Sequence, residues 1–190
     1  MELLKQRIIE DGQLIGANIL KVDSFLNHQL DPLLIREMGR EFARRFSGEE
    51  VTRILTVEAS GIAVALMVGL ELGVPVVFAK KKHPATFVET VYSAEVFSFT
   101  KQERVSICVS ERYLNPGDRV LIIDDFLAMG AASKGLVSIV KQSGARLVGV
   151  GIVIEKAFQP GGQELREEGI RVEALARIAA FVDGKIIFTV

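Results

Sequence analysis

Two adjacent carboxylates, Asp124 and Asp125, end the apolar run Val120-Leu121-Ile122-Ile123 and shortly precede the small-residue stretch Ala128-Met129-Gly130-Ala131-Ala132. The chemistry open to this order is the binding of a phosphorylated sugar. A loop with almost no side-chain bulk can close its backbone N–H groups on phosphate oxygens, and the positive end of a following helix adds a favourable field. A phosphate held there brings a ribose within reach of the carboxylates, which only accept hydrogen bonds and so suit sugar hydroxyls. The apolar run fits a strand covered on both faces of a parallel sheet. Ligands of open α/β folds bind beyond the carboxyl ends of such strands, so Asp124 and Asp125 are expected as the first residues outside the sheet.

Other residues carry weaker signals on their own. Val57-Glu58-Ala59-Ser60-Gly61-Ile62-Ala63 repeats the pattern of a strand running into a small-residue turn and a helix. Read alone it is an ordinary turn with Ser60 as N-cap; beside the first loop, Glu58, Ala59, Ser60 and Gly61 make a second anion cradle. Lys80-Lys81-Lys82-His83 is either a solvated charge run or a clamp for a highly charged anion. Lys156 is either plain surface or a donor to a ligand carbonyl, since an ammonium can only donate. Asn27 reads locally as a turn residue bonding its own backbone. Cys108, the one cysteine, sits in an apolar strand pattern, which makes a buried inert thiol the expectation.

Length and charge bound the possibilities. A chain of 190 residues, 49% hydrophobic, buries one good core and is short for two, so a single domain over 1–190 is expected. Lys and Arg total 23 against 24 Asp and Glu; that balance gives no general pull toward nucleic acid or anionic membrane, and neither is an expected partner. Residues 1–7 lack a positive region followed by an apolar core, so no secretory leader is expected and the cytoplasm is the expected compartment. The most apolar segment, 62–72, is far shorter than the ~20 residues a membrane span needs.

The elements that must position these residues follow from periodicity and punctuation. Leu4 and Ile8 share a helical face that Asp11-Gly12 ends, and Asp31-Pro32 caps a helix whose buried face is Ile35, Met38, Phe42 and Phe46. Alternation over 19–25 predicts a half-exposed strand. Strands are expected over 53–57, 74–78, 120–123, 147–154, 172–177 and 185–190, and helices over 62–72, 131–142 and 164–168. Segments 91–99 and 105–109 read as a projecting hairpin. Strands alternating with helices predict an α/β fold with a single parallel twisted sheet flanked by helices. The first strand-like piece and the last strands are free to form a small hood, about 1–30 and 155–190, with the hairpin of about 82–112 as a mobile flap.

The order apolar-apolar-apolar-apolar-Asp-Asp-apolar-apolar-Ala-x-Gly resembles the phosphoribosyl diphosphate signature of type I phosphoribosyltransferases. Adding Leu20 to Gln29 and Glu155-Lys156-Ala157-Phe158-Gln159-Pro160-Gly161, the chain resembles the bacterial xanthine phosphoribosyltransferases over nearly its whole length. The resemblance implies that xanthine and 5-phospho-α-D-ribose 1-diphosphate give xanthosine 5'-monophosphate and diphosphate. It assigns Asp124 and Asp125 to the ribose as the catalytic pair. Glu58 to Gly61, Ala128 to Ala132, Lys80 and Lys81 fall to the phosphates and diphosphate, and Leu20, Asn27, Lys156 and Phe158 to the purine. It further implies Mg2+ bound through the substrate's diphosphate, with no metal site of the chain's own, and a homodimer in which Lys80 or Lys81 completes the neighbour's site.

The sequence also departs from related patterns. Hypoxanthine-guanine enzymes carry a further aspartate where Ala128 stands, and threonines where Met129 and Ala132 stand, so backbone donors must do more and the general base is left open. The alternatives are a guanine, hypoxanthine or adenine specificity, or a phosphoribosyl-diphosphate-sensing regulator of the same fold.

Overall fold

The computed structural model describes residues 1–16, 18–81, 90–98 and 103–189. Lys82, His83 and parts of the expected flap lie outside them. The chain begins with helix α1 (Glu2–Asp11) and a two-stranded hairpin, β1 (Gln13–Ile15) with β2 (Ile19–Lys21). A π-helical turn (Asp23–Asn27) and α2 (Pro32–Arg45) follow, then β3 (Arg53–Val57), α3 (Gly61–Leu72) and β4 (Val76–Lys81). Strands β5 (Val91–Ser98) and β6 (Glu103–Ser110) form the second hairpin. The rest is β7 (Arg119–Leu127), α4 (Ala131–Gln142), β8 (Arg146–Lys156), α5 (Gly161–Glu167), β9 (Val172–Val182) and β10 (Lys185–Phe188).

One sheet of eight strands, ordered β10-β9-β8-β7-β3-β4-β6-β5, forms the centre. Strands β9, β8, β7, β3 and β4 are mutually parallel, as the strand–helix alternation predicts, and the outer strands are antiparallel. Alternate residues of β7 face opposite cores: Leu121 and Ile123 pack with Phe42, Val64 and Val68, whereas Val120 and Ile122 pack with Leu136, Ile139 and Leu165. Covered on both faces, such a strand must be apolar throughout. The expected cap of α2 is present, with Asp31 Oδ1 accepting the Leu33 and Leu34 N–H groups at 3.1 Å each.

Two expectations need correction. The strand expected over 19–25 stops at Lys21, and the chain coils, the Val22 carbonyl accepting the Leu26 N–H at 3.0 Å. Phe25 and Leu26 are neighbours and both fully buried; successive strand residues point to opposite faces, whereas a helical turn can send both inward. Second, β7 runs four residues past Ile123, because β8 runs equally far and offers partners, Asp124 opposite Ile152 and Leu127 opposite Glu155. The C-terminal strands, whose place the sequence left open, are hydrogen-bonded into the main sheet. The hairpin β5–β6 likewise extends it, Lys80 pairing with Cys108 and Lys81 with Ile107.

Candidate active site

At the carboxyl ends of β3, β4 and β7 a cavity of about 190 Å³ opens, and it gathers Glu58, Ala59, Ser60, Gly61, Lys81, Asp124, Asp125 and Ala132. These residues come from three strand ends and two helix starts, which a parallel sheet places side by side. Glu58 Oε1 accepts the Lys81 N–H at 2.6 Å, tying the first cradle to the end of β4. Ser60 has helical dihedrals and its side chain makes no cap hydrogen bond, so its local reading as an N-cap does not hold. Gly61 is required by close approach: a Cβ there would overlap Thr56 Oγ1 and lie 3.1 Å from Asp124 Oδ1.

The second cradle is α4's entry. Gly130 adopts a left-handed φ of 80° at the N-cap, without a side-chain cap bond. It lies against the start of α5, where the Gly161 N–H donates to the Ala128 carbonyl at 3.0 Å. Across this contact a Cβ on Gly161 would fall 2.5 Å from Gly130 N and 2.6 Å from Ala128 O. The loop is therefore held against another backbone and not left free. Met129 is exposed, whereas Gly130 is buried.

The two acids are unequal. Asp124 is 4% exposed, and Asp125 is only half-buried. Asp124 Oδ1 accepts the Asp125 N–H at 3.0 Å, and Asp125 Oδ1 accepts the Phe126 N–H at 2.9 Å. Burial, and next the charge of Asp125, push the Asp124 carboxyl well above the usual carboxylate range; the hydrogen bond from the Asp125 N–H, and after it the Lys81 charge, oppose this. Both acids therefore stand within the sheet, correcting their expected place outside it. Beside them Thr56, fully buried, has a hydroxyl without a hydrogen-bond partner.

Strand alternation separates the two lysines. Lys81 borders the acid-lined cavity, whereas Lys80 lines another, largely apolar cavity of about 290 Å³ with Val76, Phe78 and Tyr113. Of the purine candidates, Lys156 is half-buried at the end of β8, and its ammonium donates to the Asn18 carbonyl at 2.8 Å. Burial pulls its pKa below the usual lysine value. Leu20 is buried on the same hairpin as Asn18. Phe158 is exposed and meets Phe181 edge-on at 5.3 Å, and Asn27 is exposed at the end of the π-helical turn.

Sequence reasoning missed Thr56, Val96 and Ile107, the last two reaching the cavity from the hairpin. It also passed over Glu155 as a surface neighbour of Lys156. Glu155 is 1% exposed and gripped by Arg166 at 2.6 and 2.8 Å and by Arg177 at 2.9 Å. A hydroxyl within an apolar strand was the available signal for Thr56; nothing local marked the others. Cys108 is buried as expected, and burial raises its thiol pKa.

No protein-family model matches the chain. The adenine phosphoribosyltransferase of Rhodothermus marinus superposes with a TM-score of 0.75 at 22% identity, over 93% of this chain and 97% of that one. The Trypanosoma brucei adenine phosphoribosyltransferase, in complex with AMP, pyrophosphate and ribose-5-phosphate, gives 0.76 at 20% identity, over 92% and 79%. These likenesses speak for the fold alone, the type I phosphoribosyltransferase fold. Sequence reaches further. The xanthine phosphoribosyltransferase of Moorella thermoacetica is 60% identical over 188 residues, 99% of this chain and 96% of its own length. That of Bacillus cytotoxicus is 54% identical over 188 residues, 99% and 95%. With the fold, the acid pair and full-length identity in agreement, the chain belongs to the xanthine phosphoribosyltransferase family.

Proposed function

We propose that the chain is a purine salvage enzyme joining xanthine to the anomeric carbon of 5-phospho-α-D-ribose 1-diphosphate, which yields xanthosine 5'-monophosphate and releases diphosphate. The observation that carries this reading is the convergence of the 58–61 turn, both acids, Lys81 and Ala132 at the start of α4 on one cavity in a chain 60% identical to a xanthine phosphoribosyltransferase. The loop 128–132 receives the 5'-phosphate, and the loop 58–61 with Lys81 receives the diphosphate. Asp124 and Asp125 accept from the ribose hydroxyls and favour positive charge developing at the anomeric carbon. Lys156 has three donors, of which the Asn18 carbonyl takes one, leaving others for an exocyclic oxygen of the base. Leu20, Asn27 and Phe158 complete the base subsite. Positioning and charge compensation do most of the work.

Magnesium fits the donors present. It prefers oxygen, keeps several waters and takes one or two carboxylates besides substrate phosphates, and Asp124 and Asp125 supply such oxygens at the cavity. Bound to the diphosphate, the ion makes it a better leaving group.

The chain acts as a homodimer, supported by exposed Leu66 and Leu70 on α3. Lys81 serves its own site, and Lys80, which lines the separate cavity beside β4, is the lysine that completes the neighbour's diphosphate site. No described helix is long and apolar enough to cross a membrane, and the cytoplasm is the proposed compartment. A base-by-base assay at fixed phosphoribosyl diphosphate tests the reading: xanthine should be turned over with the highest kcat/KM, guanine more slowly. A strong preference for adenine would overturn it.

A further inference from the structure

The phosphate loop is held in place by a helix that cannot hold itself. Helix α5 has seven residues, well below the length at which an isolated helix is stable in water, yet its first residue meets the Ala128–Gly130 backbone in direct contact. Something must fix α5 against the sheet. Leu165 is buried in the core, and Glu164 pairs with Lys134 of α4 on the exposed side. The third tie is the buried carboxylate of Glu155. Arg166 of α5 grips both its oxygens, at 2.6 and 2.8 Å, and its Nη2 also reaches the Val172 carbonyl at 3.4 Å. Gly162 lies so close beneath this pair that a Cβ would overlap Glu155 Oε1 and stand 2.9 Å from Arg166 Nη1. Arg177 holds the same carboxylate at 2.9 Å, but from β9.

We infer that Glu155, through its bidentate pair with Arg166, is a positioning residue for the phosphate loop, setting the place of Gly161 and thereby of the Ala128–Gly130 backbone that receives the substrate's phosphate. A buried ion pair is weak evidence for stability, since desolvation offsets much of its attraction; its planar fork fixes direction as well as distance. Burial alone would raise the Glu155 carboxyl, but hydrogen bonds and charge from Arg166 and Arg177 hold it below the usual range. The carboxylate is therefore ionised at neutral pH and keeps its grip there. The inference rests on the assignment of loop 128–132 to the phosphate.

The two arginines allow a test that bare destabilisation cannot imitate. Arg166→Gln and Arg166→Lys release α5, whereas Arg177→Gln weakens the same carboxylate without touching α5. Steady-state KM for phosphoribosyl diphosphate at saturating xanthine, and thermal melting, are measured for each. The expected result is a KM raised about tenfold in Arg166→Gln and partly restored in Arg166→Lys, with Arg177→Gln close to the parent at a comparable loss of melting temperature. Equal KM changes for the Arg166 and Arg177 variants, or an unchanged KM in Arg166→Gln, would overturn the inference while leaving the proposed reaction standing. Should Arg166→Gln not fold, Arg166→Lys decides alone, because it keeps the charge and loses the fork. An unmodified enzyme without saturable dependence on phosphoribosyl diphosphate would overturn the proposed function and this inference together.

Discussion

Gly161→Ala places one methyl group at the tightest backbone contact around the phosphate loop. The added Cβ would lie 2.5 Å from Gly130 N, 2.7 Å from Gly130 Cα and 2.6 Å from Ala128 O, against an ordinary contact of 3.4–4 Å. All three are backbone atoms, so no side chain can swing aside and the loop or α5 must yield by about 0.9 Å, the difference between 3.4 and 2.5 Å. The Gly161 N–H to Ala128 bond, 3.0 Å long, is stretched in the same movement at a cost of about 1 kcal/mol. A displacement near 1 Å in a positioning element costs about 10²-fold in rate. The expected result is a fall of about 100-fold in kcat/KM for phosphoribosyl diphosphate, with the KM for xanthine within about threefold of the parent. Initial rates with each substrate varied in turn supply both values. Gly169→Ala is the control: its φ of +77° strains a side chain, but a Cβ there meets open space, so it should lower the melting temperature and spare kcat/KM. Parental kcat/KM in Gly161→Ala would refute the idea that this contact sets the loop.

Asp124→Asn should lower turnover by about 10²-fold and also raise the melting temperature at neutral pH. The sign follows from the raised carboxyl pKa in the fold: as pH climbs past the ordinary aspartate value of about 4, the unfolded chain loses its proton first and stability falls, a loss that asparagine escapes. A neutral-pH melt of the variant at or below the parent contradicts this. Asp125→Asn, half-buried, should lose turnover with little gain in stability, and near-normal turnover in both variants would remove the acids from the mechanism. Lys156→Ala removes a half-buried donor; a lost hydrogen-bond partner costs about 1–3 kcal/mol, so the KM for xanthine should rise about tenfold while the KM for phosphoribosyl diphosphate changes little; retained xanthine affinity would reassign the base subsite. Sedimentation should show a dimer at assay concentration, and a fully active monomer would reject the role given to Lys80.

What the sequence disclosed depended on how far apart the cooperating residues lie along it. Helix α2 was legible from its Asp31-Pro32 start and its period of buried residues, and Gly144, which takes a φ of +70°, is the local stop signal after α4. Both signals are local. Strand pairing is not, so the junction of β4 with β6 and the addition of β9 to β8 could not be read from alternation. The Glu155 cluster was hidden for the same reason: its arginines follow at 11 and 22 residues' distance, and burial alone distinguishes such a carboxylate from one that merely neighbours Lys156. Gly161 and Gly162 stood in view as a pair, but their reason is a backbone about thirty residues earlier in one case and a buried carboxylate in the other.

The acid pair shows where local reading stops and tertiary structure takes over. Two adjacent aspartates after an apolar strand look interchangeable, both leaving the sheet for solvent. Because β8 continues to Lys156, β7 continues alongside it, and pleating then gives the two side chains different surroundings. Asp124 turns toward Gly61 and the unpartnered hydroxyl of Thr56, loses water and tends to keep its proton; Asp125 remains half-exposed beside it. The two acids thus owe their different surroundings to the pairing of β7 with β8 and not to their neighbours in sequence.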